Sequence, residues 1–281
     1  MRLGLSSGLA YGGFVPSSIN LLDFSPAVAY SLRSFDSSAD PNVVNVRRSS
    51  DNATQDFKAS EITDGTLATY VGSGNDGHVT TWYDQSGNSN HASQTTAASQ
   101  PKIVSSGAVI TESSKPVVKF DGSNDLMKMV LPSSISQPTH SFLVHNFHGT
   151  PSAFDGIVGS VGAADAYNEH RLIVSGSLKY NLQAGGGLSY SDYQTSDTLA
   201  SYRIEQNNCL FRINGSDVAS TSGGGIQNEA LDGLLLGAIN ANPAASGNSP
   251  VNIKELVVYP RDEAANQTAI ETNINAHYSI F

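Results

Sequence analysis

The chain of 281 residues has a single cysteine, Cys209. One cysteine excludes a disulfide within the chain and any zinc site built from cysteines. The surrounding N-N-C-L-F-R-I predicts a small buried residue at this position rather than a reactive thiol. Because secreted proteins commonly carry disulfides, this cysteine usage favours a protein made in a reducing cytoplasm.

Charged residues are also scarce, at 14% of the chain, and acids outnumber bases to give a formal net charge of −10. Nucleic-acid binding needs clustered Lys and Arg, so no nucleic acid is expected as a partner. No apolar run approaches the ~18 residues of a membrane span. The first residues lack the sustained apolar core of a signal peptide. The sequence therefore predicts a soluble protein without membrane contact or secretion signal.

Glycine, serine, asparagine and threonine are abundant, and they separate short stretches of alternating apolar residues. This pattern predicts an all-β antiparallel sandwich with one or two short helices, at 61–71 and 263–277. The first two predicted strands are expected to form a hairpin. The predicted strands are 27–35, 42–48, 78–83, 100–104, 116–120, 141–146, 170–174, 178–182, 199–207, 209–213, 217–220, 234–238 and 251–259.

Residues 1–23 are rich in Gly and Ser, yet they carry more leucine than a disordered linker needs. Two interpretations stay open, a frayed tail and an arm that orders against a neighbouring subunit. We expect an N-terminal arm at 1–23 followed by one sandwich domain at 24–281.

The only tryptophan, Trp82, lies in V-T-T-W-Y-D-Q-S-G-N-S-N at 79–90. Residues 79–83 predict a strand, and the polar residues after it predict a loop held by its own hydrogen bonds. Trp82 and Tyr83 must point in opposite directions, so one of them is expected to be buried between sheets.

Five motifs follow one another along the chain: A-Y-S-L-R at 29–33, R-R-S-S-D-N at 47–52, W-Y-D-Q-S-G-N at 82–88, F-D-G-S-N-D at 120–125 and I-K-E-L-V-V-Y-P at 253–260. Together they resemble the catalytic-domain family of alpha-L-arabinofuranosidase B, and specifically its uncharacterised tailed-phage virion relatives. The resemblance implies a concanavalin A-like (laminin-G-like) jelly roll. It implies structural roles for Arg47, Arg48, Trp82, Tyr83 and Asp84.

The resemblance also implies a glutamate nucleophile in a mid-chain strand and an acid/base aspartate after an L-G segment. Here 236–242 reads L-G-A-I-N-A-N, with Asn240 and Ala241 where the aspartate is expected. The strand 178–182 has no glutamate, and the nearest carboxylates, Asp165 and Glu169, precede it. A retaining glycosidase needs both carboxylates ~5–5.5 Å apart. The sequence therefore predicts no catalytic residue and no enzyme.

We accordingly expect a phage structural protein, either capsid decoration or tail- or fibre-associated, located in the virion. Expected partners are other virion proteins through the arm, further copies of the chain, most plausibly in a trimer, and host or environmental glycans. The alternatives are an arabinofuranosidase-like glycoside hydrolase and a free lectin-like module.

Two further groups of side chains suggest ligands. A tyrosine-rich stretch could stack on sugar rings, although half-buried sandwich residues give the same pattern; its members are Tyr167, Tyr180, Tyr190 and Tyr193.

Asp84, Asn88 and Asn90 place oxygen ligands as calcium loops do, but without a closing glutamate. A tight turn suffices to explain 121–125. His140 and His145 should face opposite sides of a strand, so no metal cluster or cofactor is predicted.

Overall fold

The structure is a computed structural model, and it describes residues 19–161, 171–174, 179–184, 187–220, 229–239 and 247–281. Antiparallel strands dominate these ranges, so the predicted all-β sandwich is confirmed. Both predicted helices are present, as α1 (Thr66–Val71) and α2 (Gln267–Tyr278). Within the described ranges, no helix has the length and apolarity that a membrane crossing requires.

The described residues form strands of two to nine residues, with these bounds in chain order: β1 Val28–Ser31, β2 Asn42–Arg48, β3 Thr54–Lys58, β4 Gly77–Trp82, β5 Ala92–Ser93, β6 Lys102–Ser105, β7 Ala108–Val109, β8 Thr111–Glu112, β9 Lys115–Pro116, β10 Val118–Lys119, β11 Met127–Ile135, β12 Thr139–Phe147, β13 Gly156–Gly159, β14 Arg171–Val174, β15 Lys179–Gln183, β16 Gly187–Asp192, β17 Thr198–Ile204, β18 Leu210–Ile213, β19 Ser216–Ser220, β20 Leu231–Leu236 and β21 Val251–Tyr259.

The first layer is built around β12 and β21, which are buried along their whole length. On one side, β17, β18 and β19 extend the sheet from β12. On the other side, β1 and β10 both pair with β21, each along a different part of it. From β10 the sheet continues in the order β6, β4, β2 and β3. This arrangement places the chain's early and late strands side by side.

The second layer runs β11, β20, β13, β14, β15 and β16, all antiparallel. Strand β5 pairs with both β4 and β11 and so joins the two layers at one edge. The main core lies between the layers, where Leu143 and Leu256 of the first meet Leu172 and Leu182 of the second. Full burial of side chains of this size stabilises the fold by ~1.5–3 kcal/mol each.

A second, smaller core lies on the outer face of the first layer, beneath α2. Ile270 and Ile274 of the helix pack there against Phe142 and Val257. Leu21 joins this core and is only 1% exposed. The segment assigned to an arm at 1–23 therefore packs on the sandwich at 19–23, while residues 1–18 lie outside the described ranges.

The predicted hairpin between the first two strands is wrong. β1 pairs with β21, with Val28 opposite Val258, whereas β2 pairs with β3 and β4. β1 is buried on both faces, because Val28 and Tyr30 face the main core and Ala29 faces the second core, and its partner strand comes from distant sequence. The strands β3, β11, β13 and β16 were not predicted.

Candidate functional site

The turn that follows β10 brings two aspartates together. The N–H of Asp121 donates to Oδ2 of Asp125 at 3.0 Å, and the N–H of Asp125 donates to Oδ1 of Asp121 at 3.2 Å. Between them, Gly122 has φ +78°, and a Cβ there would lie 2.9 Å from the backbone nitrogen of Pro250. Only glycine fits this tight turn, so the backbone holds the two carboxyl groups in a fixed relation.

The two carboxyl groups have different surroundings. Asp125 is only 6% exposed, and burial, followed by the neighbouring Asp121 carboxylate, raises the pKa of the Asp125 carboxyl to about 7. Asp121 is exposed, and its Oδ1 accepts the N–H groups of Ser123, Asn124 and Asp125. These bonds use a single oxygen, so Oδ2 of Asp121 can contact a ligand.

Both aspartates line a pocket of about 360 Å³, which we call the aspartate pocket. Its other polar walls are His78, Gln100, Lys102 and Lys119. His78 Nδ1 lies 3.1 Å from the carbonyl oxygen of Gln100, and burial is the main cause that lowers the pKa of the His78 ring. The pocket thus combines a carboxyl group that can hold a proton near neutral pH with a carboxyl group open to solvent. Such a pair suits general acid–base or nucleophilic chemistry.

The Trp82 motif serves a structural purpose in the described structure. Trp82 is fully buried and lies against Tyr30, with ring centroids 5.8 Å apart, while Tyr83 is half-buried, as predicted for this pair. The Asp84 carboxylate accepts hydrogen bonds from the N–H groups of Ala29, Ser86 and Asn90. The loop therefore fastens β4 to the start of β1.

The calcium candidates use their polar groups within this same loop. The Asn88 amide donates to the carbonyl oxygens of Pro26 and Ala27 at 3.0 and 3.2 Å, and the Asn90 amide donates to Ala27 at 2.9 Å. Backbone hydrogen bonds thus account for these residues. Among the described residues, no group of three or more His, Cys, Asp or Glu side chains is placed to hold a metal ion.

The two arginines of the R-R-S-S-D-N motif have separate partners. Arg47 donates to Gln100 Oε1 at 2.7 Å and so supports one wall of the aspartate pocket. Arg48 forms a two-contact ion pair with Asp51 and lies over the Tyr70 ring at 4.8 Å.

Of the predicted glycan-stacking tyrosines, the structure describes the side chains of Tyr180 and Tyr193. Tyr180 is 0% exposed, and its hydroxyl lies 2.9 Å from His145 Nε2 inside the main core. The expectation that Tyr180 stacks on a sugar is therefore wrong, because alternation along β15 points its ring between the layers. Tyr193 is half-buried, with its ring 5.4 Å from that of Phe147. Tyr167 and the side chain of Tyr190 lie outside what the structure describes.

From the sequence, the Asp121–Asp125 turn was expected to be structural only. The available signal was two carboxylates four positions apart, directly after a buried strand. The sequence did not reveal that Asp125 is only 6% exposed, or that it shares a pocket with Ala97, Ala98 and Gln100 of a separate loop.

No protein-family model and no curated protein matches this sequence. Among solved structures, the fold is similar to a GH54 α-L-arabinofuranosidase soaked with a cyclic sulfate inhibitor, with a TM-score of 0.65 and 14% identity over 89% of this chain and 62% of that chain. An arabinofuranosidase complexed with arabinofuranosyl-α-1,2-xylobiose matches with a TM-score of 0.56 and 16% identity over the same shares. A Trypanosoma rangeli sialidase in complex with sialic acid matches with a TM-score of 0.51 and 10% identity over 91% of this chain and 37% of that chain.

The chain spans about three fifths of the length of these arabinofuranosidase chains, and identities this low show a shared fold alone. The arabinofuranosidase-like fold that the motifs implied is supported. The expectation that the chain is not an enzyme is contradicted, because the solved structures that share its fold include arabinofuranosidases bound to an inhibitor or a substrate. That expectation relied on placing two carboxylates by motif spacing. Some of the positions used for that placement lie in 162–170 and 240–246, outside the described residues.

Proposed function

We propose that this protein is a glycoside hydrolase whose reacting carboxyl groups are Asp121 and Asp125. The observation that carries the proposal is the pair itself, in which one carboxyl group is buried and the other is exposed at one pocket. The sandwich around the pair is of a kind that glycosidases use, which supports the reaction class.

Each aspartate has a distinct role in this proposal. Asp125, whose pKa lies at about 7, donates a proton to the glycosidic oxygen as the bond breaks. Asp121 acts from the solvent side, either as the nucleophile at the anomeric carbon or as the base that activates water. The proton on Asp125 leaves with the departing alcohol. If Asp121 is the nucleophile, water then cleaves the glycosyl–Asp121 ester and gives a proton back to Asp125; if Asp121 is the base, it takes a proton from the attacking water, and solvent later restores the protonation of both carboxyl groups.

The test is hydrolysis of a panel of aryl glycosides and oligosaccharides, including an α-L-arabinofuranoside and uronic-acid oligomers. Asp125→Asn and Asp121→Asn should each lower kcat/KM on unactivated oligosaccharides by roughly 10²–10⁴, since this is the range for loss of one acid or base, and both variants should stay folded at the assay temperature. The exposed Asp23→Asn is the matched control and should keep full activity.

Two outcomes would count against the proposal. If no member of the panel is cleaved, the hydrolase assignment is wrong. If turnover survives in both aspartate variants and disappears in Asp165→Asn or Glu169→Gln, the hydrolase stands but the pair has been misplaced.

We retain, as a separate proposal, the structural role in a tailed-phage particle and the homo-oligomer through residues 1–23. The resemblance to tailed-phage virion proteins supports the particle role, and the leucine-rich composition of 1–23 supports the homo-oligomer. A glycosidase carried on a particle would satisfy both proposals, and electron microscopy of particles labelled through this chain would test the second.

A further inference from the structure

A row of basic side chains crosses the outer face of the first layer. Register pairs join Arg47 to His78, His78 to Lys102, and Lys102 to Lys119 on four neighbouring strands. Residues directly opposite each other on adjacent strands project to the same face. The row therefore crosses β2, β4, β6 and β10 and ends in the aspartate pocket, which three of its four members line.

Two members of this row have no acidic partner. The three recorded contacts of the Arg47 guanidinium are neutral: Gln100 Oε1 at 2.7 Å, Asn52 Oδ1 at 2.8 Å and the Ala97 carbonyl at 3.2 Å. Lys119 has no ion pair within the ranges that the structure describes, although it is a pocket wall. Among the described residues, neither positive charge is thus held in a direct ion pair.

Lys102 is also available to a ligand. Its ammonium lies 2.7 Å from Asp76 Oδ2, but the lysine side chain is 41% exposed. Exposed pairs of this kind contribute little to stability, so an incoming anion can share or replace the aspartate. The positive charges of Arg47 and Lys102 also act on His78. Burial is the main cause that lowers the pKa of the His78 ring, and these two charges lower it further.

The basic row stands out on an acidic chain, whose formal charge is −10. Arg47, Lys102 and Lys119 bring three positive charges to this face, and the carboxyl groups of Asp76, Asp121 and Asp125 lie beside them. Lysines grouped at a cleft attract anions there, while the acidic remainder of the surface repels them.

We propose that the aspartate pocket takes a negatively charged glycan, with a carboxylate or sulfate group of one sugar held by Lys119 and Lys102. This deepens the proposed hydrolase function by naming its substrate class. A neutral glycan would leave the Lys119 charge unused beside the reacting carboxyl groups. A charged sugar unit gives the pocket a means of fixing which bond lies beside Asp125.

The test measures binding on the full chain carrying Asp125→Asn, so that turnover does not interfere. The probes are an oligogalacturonate, a sulfated oligosaccharide, a neutral arabino-oligosaccharide and a short single-stranded DNA of matched charge. Lys119→Met should weaken binding of a charged oligosaccharide roughly 1.5- to 5-fold, the effect of one partly exposed ion pair. The matched control Lys58→Met, an equal change in net charge at an exposed site on β3, should leave the affinity unchanged.

Preference for either charged oligosaccharide over the neutral one, lost in Lys119→Met only, supports the proposal, and the two anions show which charged group is used. The proposal is overturned by equal affinity for charged and neutral probes, by no binding of either, by equal losses in the two lysine variants, or by DNA binding as tight as that of the glycan. Because binding is measured without turnover, charge-selective binding by a chain that cleaves nothing would refute the hydrolase and leave this inference standing.

Discussion

Arg33 and Glu255, separated by 222 positions, form a two-contact ion pair beneath α2. Arg33 Nε lies 2.8 Å from Glu255 Oε2, and Nη2 lies 3.0 Å from Oε1. The hydroxyl groups of Ser31 and Tyr278 also donate to Glu255 Oε2, at 2.9 and 3.1 Å. Two of the motifs that carry the family resemblance, A-Y-S-L-R and I-K-E-L-V-V-Y-P, therefore meet in space. Their polar residues hold β1 and β21 together rather than contacting a ligand pocket.

The Arg33–Glu255 pair predicts a large loss of stability when one partner is removed. The Glu255 side chain is 0% exposed and that of Arg33 18% exposed, so Glu255→Ala leaves a mostly buried guanidinium without its counter-charge. Breaking a buried pair in this way costs ~3–5 kcal/mol, which chemical denaturation would measure. Asp51→Ala, which removes the partner of the exposed Arg48, is the control and should change stability little. Equal effects of the two substitutions would contradict the prediction.

Trp82 supplies the second prediction. Its ring is fully buried against Tyr30, and its Nε1 donates to the carbonyl oxygen of Ser31 at 3.3 Å. Trp82→Ala should destabilise the fold by ~3–5 kcal/mol because it leaves a cavity in the main core. Tyr83→Phe, which removes only a partly exposed hydroxyl contact to Asp56, serves as the neighbouring control. A small loss for Trp82→Ala in urea unfolding would show that the ring is not part of the core.

Substitution of Leu21 distinguishes two roles for residues 1–23, an arm that contacts other subunits and a part of the domain itself. It is buried in the second core, and its carbonyl accepts a hydrogen bond from the Tyr259 hydroxyl at 3.1 Å. Leu21→Ala should therefore cost ~2–4 kcal/mol in the isolated chain. We expect deletion of residues 1–18 to leave the thermal midpoint nearly unchanged while it reduces any self-association seen by light scattering. A leucine variant as stable as the parent protein would place the whole of 1–23 outside the domain.

Local sequence predicted the strands well and their partners poorly. The bounds of β2 and β21 follow from alternation and turn residues near each strand, and the structure reproduces 42–48 and 251–259. Pairing of β1 with β21 depends on burial of both its faces, which a four-residue strand does not reveal. β11 was missed because Pro132 and two serines interrupt its pattern, although Met127, Met129 and Leu131 alternate inward.

The candidate site was harder to predict for the same reason. The turn at 121–125 can be predicted from its glycine and aspartates, but the raised pKa of Asp125 arises from burial in the folded chain and then from the neighbouring Asp121 carboxylate. Tyr180 shows the converse error. The nearby tyrosines in sequence suggested a surface, whereas the Tyr180 hydroxyl lies 2.9 Å from Nε2 of His145 on the facing layer, and burial lowers the pKa of His145 to about 3. In both cases the burial of the side chain in the folded structure decides the outcome.

Asp125 also makes stability depend on pH in a specific direction. Its folded pKa of about 7 lies above the ordinary value of 3.8, so between these values the folded state binds more protons than the unfolded state. Stability contributed by this group is then fully present below pH ~4 and lost as the pH rises through ~7. The thermal midpoint of the parent protein relative to Asp125→Asn should fall over this window and level off above it. A constant difference between the two proteins from pH 4 to 8 would refute the raised pKa.

The same titration sets the pH profile of the proposed reaction. Asp125 can donate a proton only while it holds one, so kcat/KM on a cleaved glycoside should decline above pH ~7 with a slope of one proton. Any residual activity of Asp125→Asn should lack this decline, because an amide does not titrate. An aryl glycoside whose leaving group needs no protonation should lose far less activity in this variant than an unactivated oligosaccharide does. If both substrates lose activity equally, Asp125 is not the proton donor, and the exposed Asp121 alone would have to account for the chemistry of the pocket.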